Sequence, residues 1–275
     1  MGCAGFDPCP LCLYPVDMSK PDGSRVFLSE GFRWDEQDAY LIDIDGTLLR
    51  HKDRVHFDAF YESVRGVMGY DLVLDGVILA GNTDPGILRD AFRLAKVDDA
   101  VWRPRREAML QAMCARVVER RQHLQPMIMP GVEATLEHLQ KKGALLGIAT
   151  GNLEEIGWLK IENAGLRSWF SFGGFSDRFE KRADMIAHAA EQARAILGSD
   201  GAGHECRSVC VVGDTPFDIE AARANGLPTI AVATGRYDFD ALMEHQPEAC
   251  ATTLAALLEA TTGTEVARET AGHAS

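Results

Sequence analysis

The sequence predicts an α/β fold, with a parallel sheet covered by helices on both faces and a helical domain inserted into it. Three observations carry this. The runs "ALLGIAT", "SVCVVGD" and "PTIAVAT" are apolar throughout, as strands buried on both faces are. Segments of helical periodicity alternate with them, the pattern of strand–helix crossovers. The first and second core strands lie about 100 residues apart, far beyond a normal crossover, and that interval is helical in pattern.

Along the chain, residues 1–38 hold Pro8, Pro10, Pro15 and Pro21 and show no sustained periodicity, which predicts an irregular arm packed through Phe27, Phe32 and Trp34. A strand is predicted at 39–45. Residues 52–130 form the insertion, with helices in "HFDAFYESVRGVM", "DPGILRDAFRLA" and "RREAMLQAMCARVVERR". Pro130-Gly131 opens the helix "VEATLEHLQKKG", which Gly143 ends. The strand "ALLGIAT", the helix "NLEEIGWLKIENAGL", a short strand in "WFSFGGF" and the helix "RADMIAHAAEQARAIL" follow. After them come "SVCVVGD", the helix "TPFDIEAARANG" with proline near its first turn, "PTIAVAT", and a short strand and helix within 249–260. The core therefore comprises 39–51 and 131–262, with a flexible tail at 263–275.

A net charge of −13 argues against broad affinity for nucleic acid or an anionic membrane surface. No apolar run approaches the roughly 20 residues of a membrane span. With no basic segment leading into an apolar one at the N-terminus, the cytoplasm is the expected location. Seven scattered cysteines do not form a disulfide framework. Cys9 and Cys12 make a CxxC beside Cys3, but no second pair completes a zinc site. "HECRSVC" adds His204 and Cys206, with Cys210 inside an apolar strand. The expected reading is an arm with incidental thiols.

Ligands of open α/β sheets sit at the carboxyl ends of the strands, so polar residues there are the candidates. The first strand ends in Asp43-Ile44-Asp45-Gly46-Thr47, the next in Thr150-Gly151-Asn152, and a later one in Gly213-Asp214-Thr215 with Asp218 beyond; Lys181 and Arg182 begin a helix. Singly, each has an ordinary role in a turn or helix cap. Together they suit phosphoryl transfer to a carboxylate. A phosphate ester repels a carboxylate, and Mg²⁺ held by acids offsets that. A cation and helix-start N–H groups hold the phosphoryl oxygens. A second acid serves leaving group and water, so a raised pKa is expected at Asp45.

These motifs resemble the haloacid dehalogenase superfamily in its aspartate-dependent phosphatase branch. Its DxDGT motif stands here as "DIDGT" (43–47), its strand ending in Ser or Thr as "LLGIATGN", and its acid pair as "VVGDTPFDIEAA". The resemblance covers about 40–235. It implies a Rossmann-like core with an α-helical cap domain of the C1 type at 52–130, similar to phosphoglycolate-phosphatase-like members. It implies Asp43 as nucleophile and Mg²⁺ ligand, Asp45 as general acid/base and, by its carbonyl, the second protein ligand, with Asp214 as the third and Asp218 supporting the metal site through water or from behind the ligands. Thr150, Gly151 and Asn152 would hold the phosphate, with backbone N–H groups near Ile44. The motif cation is Arg182 or Lys181; "EKRADMIAHA" lacks the Lys-Pro of many relatives, which favours Arg182.

The implied activity is Mg²⁺-dependent hydrolysis of a small phosphorylated metabolite, such as phosphoglycolate or a sugar phosphate, by a monomer or homodimer. A phosphomutase of the β-phosphoglucomutase type, or a non-catalytic phosphoester-binding protein, is the alternative. Within the insertion, Asn82, Thr83 and Asp84 are candidate substrate residues, though Thr83 or Asp84 also suits a helix cap. His51, just after the first motif, is another. The arginines of 101–121 read as a solvated face or as a local attraction for anions.

Overall fold

The computed structural model describes residues 24–199 and 208–261. Cys3, Cys9, Cys12, His204, Cys206 and the tail after Thr261 lie outside the described residues. In chain order the elements are β1 (Val26–Leu28), β2 (Ala39–Ile42), β3 (Leu49–His51), α1 (Val55–Met68), α2 (Asp84–Leu94), α3 (Asp99–Trp102), α4 (Arg106–Glu119) and β4 (Pro126–Ile128). They continue with α5 (Val132–Lys141), β5 (Leu145–Ala149), α6 (Glu154–Asn163), β6 (Phe172–Gly174), α7 (Arg182–Ser199), β7 (Val209–Gly213), α8 (Pro216–Ala224), β8 (Thr229–Val232), α9 (Phe239–Met243) and β9 (Ala249–Ala251). A last helix, α10, covers 254–261.

The main sheet has the order β1-β9-β8-β7-β2-β5-β6. Every pairing in it is parallel except β1 with β9. This is a Rossmann-like α/β architecture. Alternation along the central strands divides the core into two layers. Tyr40, Ile42, Leu146, Ile148, Cys210 and Val212 pack with α5 and α10. Ala39, Leu41, Val209 and Val211 face α7 and α8, where Met185, Ile186, Ala189 and Ala222 meet them. The chain leaves β2 toward β5 and β6, then returns to β7 on its other side. The crevice above β2, β5 and β7 is therefore the switch point at which such sheets bind ligands.

The helices between β3 and β4 bury a cluster of their own. Trp102 is fully buried and stacks on Phe92 with ring centroids 5.3 Å apart. Phe60, Met109 and Met113 fill the same cluster, and Leu153 and Ile156 at the start of α6 join it from the main body. Burying each such side chain contributes about 1.5–3 kcal/mol. Among the described residues, no helix is long and apolar enough to cross a membrane.

Two features depart from the sequence expectation. The arm is not irregular throughout. β1 pairs with β9, and Trp34, only 3% exposed, donates from its indole to Thr261 Oγ1 at 2.6 Å. Asp35 is held by His138 and Lys142 at 2.8 and 2.5 Å. The strand is three residues long, too short for period-two alternation to register. The second departure is the antiparallel ribbon of β3 and β4, paired Leu49↔Ile128 and His51↔Pro126, at the two ends of the helical segment.

Candidate active site

β2 delivers Asp43 to the crevice. Its backbone N–H still donates to the Val212 carbonyl at 2.9 Å, so Asp43 is the last residue held in sheet register. Leu41 faces α7, and by alternation Asp43 shares that face. Arg182 opens α7 there, and its Nη2 lies 2.9 Å from Asp43 Oδ1 and 2.5 Å from Asp218 Oδ1. The chain then turns at Gly46, whose φ of +92° suits glycine. Leu48 and Leu49 N–H donate back to the Ile44 carbonyl at 3.0 and 2.9 Å. This turn separates Asp43 from Asp45, which points into the open pocket with 44% of its side chain exposed.

The pocket is lined by Asp43, Asp45, Thr150, Gly151, Asn152, Arg182 and Asp214, together with His51, Asn82 and Asp84. Three proposed residues are not brought into it. Lys181 is exposed, whereas Arg182 is 8% exposed and faces both acids, so the geometry favours Arg182 over Lys181. Thr83 is buried as the cap of α2, accepting from Gly86 N–H and donating to the Glu180 carbonyl, both at 3.0 Å. Asp218 has both oxygens engaged: Oδ1 accepts from Arg182, and Oδ2 accepts from Thr215 N–H and Oγ1 at 3.1 and 2.7 Å. Asp218 is therefore a support for Arg182 and the start of α8, not a free ligand.

Sequence reasoning missed Lys160. It is 3% exposed, and its ammonium donates to both oxygens of Asp45 at 2.9 and 2.7 Å and to Asn152 Oδ1 at 2.8 Å. Asn152 in turn donates to Asp45 at 2.7 Å and to Thr150 Oγ1 at 2.6 Å. The signal was legible: α6 buries Ile156, Gly157, Lys160 and Ile161, so the lysine stands in the apolar stripe of its helix. A charge there needs a partner.

Lys160 overturns the expectation of a raised pKa at Asp45. Partial loss of solvent around its pocket-facing side chain pushes that carboxyl up, but Lys160, His51 and the bonds from Lys160 and Asn152 outweigh it and hold Asp45 below the ordinary carboxylate range. Asp43 moves the other way. Burial raises it to about 7, with Asp218 and Asp45 adding to the effect and Arg182 opposing it. Asp214 is also raised, by burial and by its neighbours Asp43 and Asp218. Crowded acids that resist ionisation are poised to accept a cation.

The two carboxylates that meet in the pocket, Asp43 and Asp214, make an oxygen-only donor set that suits Mg²⁺. Among the described residues no three His, Cys, Asp or Glu side chains form a metal cage. Mg²⁺ commonly takes one or two carboxylates and fills its remaining positions with water and phosphate. Room for it depends on glycines: a Cβ at Gly46 or Gly235 would overlap Asp214 Oδ2. Gly235→Ala is therefore expected to lower Mg²⁺ affinity about 10–100-fold, read by calorimetric titration.

The family model for haloacid dehalogenase-like hydrolases matches residues 40–232, most of the chain. The chain belongs to that family. Among relatives of this haloacid dehalogenase-like hydrolase, a phosphoglycolate phosphatase of Agrobacterium fabrum is 32% identical over 132 residues, 48% of this chain and 53% of that protein. One of Xanthomonas campestris is 29% identical over 224 residues, 76% of this chain and 93% of that one. The chain spans about half the length of the first curated relatives it matches, 45% for a phosphoglycolate phosphatase of Mesorhizobium japonicum. A hydrolase structure from Pseudomonas syringae superposes with a TM-score of 0.58 at 21% identity, covering 81% of this chain and 97% of that one. That likeness speaks to the fold.

Proposed function

We propose that this hydrolase is a Mg²⁺-dependent phosphatase acting on a phosphomonoester through an aspartyl-phosphate at Asp43, under a helical cap at 52–130. The observation that carries the reading is the convergence of Asp43, Asp214 and Arg182 at the switch point of the sheet. Arg182 Nε is buried with no hydrogen-bond partner among the described residues, a donor left for a phosphoryl oxygen. Names of curated relatives point to phosphate esters as well.

Asp43, Asp214 and the Asp45 carbonyl would hold the cation. When bound, it neutralises charge on the ester and the carboxylates. Asp43 attacks phosphorus in line as the ester P–O bond breaks, and the electron pair leaves with the alcohol oxygen, which takes its proton from the protonated form of Asp45, the proton that Asp45 regains from water in the second step. Thr150 Oγ1, the Gly151 N–H and Arg182 are the donors for the phosphoryl oxygens. Water then cleaves the aspartyl-phosphate at phosphorus, releasing inorganic phosphate, and Asp45 accepts the water proton.

With Lys160 beside it, Asp45 is set for this second, base step more than for protonating the alcohol. Aryl phosphates, whose leaving groups need little proton assistance, are expected to turn over faster than alkyl phosphates. Lys160→Met removes the cation that depresses Asp45, so its pKa rises, its protonated fraction grows, and the gap between aryl and alkyl kcat/KM narrows. An unchanged ratio would remove Lys160 from this role. The reading as a whole is tested by released phosphate from a panel of phosphomonoesters with and without Mg²⁺. Release that needs the cation supports it, and no release from any ester refutes it.

A further inference from the structure

The pocket is much larger than a phosphoryl group needs. Its volume is about 450 Å³, within the roughly 300–1,000 Å³ of sites that bury drug-sized ligands. Asp43, Arg182 and Asp214 take the phosphoryl group in the reading above, so the remaining volume receives the alcohol half of the ester. Phe57, Tyr61, Leu74, Val77, Leu79 and Ile87 wall that part from the helical side.

The charges on that side are equally telling. Among the described residues that line the pocket between 53 and 87, none is Lys or Arg, and Asp53, Asp75 and Asp84 are acids. The arginines of the insertion are turned elsewhere: Arg103 and Arg106 lie 3.1 and 3.8 Å from Glu180, and Arg120 lies 2.8 Å from Glu62. A carboxylate on the alcohol would leave water for apolar surface and acids, with no Lys or Arg on that side to meet it and with His56 already 3.2 Å from Asp84. Outside that segment Arg50, Lys160 and Arg236 also line the pocket; Lys160 is held by Asp45 at 2.9 and 2.7 Å, and Arg50 donates to the Thr234 carbonyl at 3.4 Å.

We propose, resting on the phosphatase reading above, that the alcohol half of the substrate is bulky, uncharged and mostly apolar, an aryl or branched alkyl alcohol rather than a short hydroxy acid. This departs from phosphoglycolate, the substrate that family resemblance suggests.

Phosphonates test this without turnover, because their P–C bond is not the bond this chemistry cleaves. Calorimetry of the full chain with Mg²⁺ would compare ethyl-, butyl-, hexyl- and benzylphosphonate with 3-phosphonopropionate. Kd is expected to fall about fourfold for each methylene buried, up to the limit of the pocket. 3-Phosphonopropionate is expected to bind at least about tenfold more weakly than butylphosphonate. Leu79→Asp, at a half-buried position, flattens the series; if that variant does not fold, the wild-type series alone decides. A flat wild-type series, tighter binding of 3-phosphonopropionate, or no binding of any member overturns the inference. The phosphatase reading fails separately, if the series binds as described and no phosphomonoester releases phosphate.

Discussion

Asp43→Asn is expected to reduce phosphate release by about four orders of magnitude or more while leaving the protein folded. Asn keeps the volume and one carbonyl oxygen for the 2.9 Å contact from Arg182. It loses the negative charge that attacks phosphorus and binds the cation. Because Asp43 sits among Asp45, Asp214 and Asp218, removing its charge also relieves repulsion that raises Asp214. The change in melting temperature should therefore be small beside the loss of rate. Phosphate-release kinetics together with thermal unfolding separate the two, and a variant retaining a tenth of the activity would exclude Asp43 as nucleophile.

The largest effect on stability is expected at Arg182→Met. Its guanidinium is the cation shared by Asp43 and Asp218, which are 6% and 0% exposed. Methionine fills the volume and leaves buried carboxylates uncompensated, a loss of about 3–5 kcal/mol. In a domain of this size the melting temperature falls on the order of 10 °C. The pH dependence has a definite sign. A carboxyl whose folded pKa is raised contributes stability below its unfolded value and loses it as pH rises through the folded one. Asp43 is already raised to about 7, and losing Arg182 raises it further. The deficit should be greatest above pH 7 and shrink toward pH 5. Equal destabilisation at both ends of that range would mean that lost packing, not unpaired charge, is the cause.

Much of the fold was legible because apolar strands and amphipathic helices obey simple periodicities. "VCVVG" and "TIAV" are continuous apolar runs and form β7 and β8. The short strands β6 and β9 were legible within "WFSFGGF" and 249–260, but three others were not. β1, β3 and β4 have three residues each, and their pairing partners lie far along the chain. At the site, residues at strand ends were found because topology alone places them at the switch point. Lys160 comes from the interior of α6 and His56 from the first turn of α1, and the direction of each depends on packing. His56 Nε2 lies 3.2 Å from Asp84 Oδ2, joining α1 to the start of α2, and the sequence gives no sign of that pair. The lowered pKa of Asp45 has the same origin, since Lys160 stands 115 residues away in the chain.

The most direct test of the account is to stop the reaction with acid in the first turnovers, with Mg²⁺ and an aryl phosphate, and map the modified peptide by mass spectrometry. The account predicts one phosphoryl group on the peptide carrying Asp43, dependent on Mg²⁺ and absent in Asp43→Asn. Steady phosphate release with that peptide unmodified, or with the phosphoryl group on another residue, would contradict it.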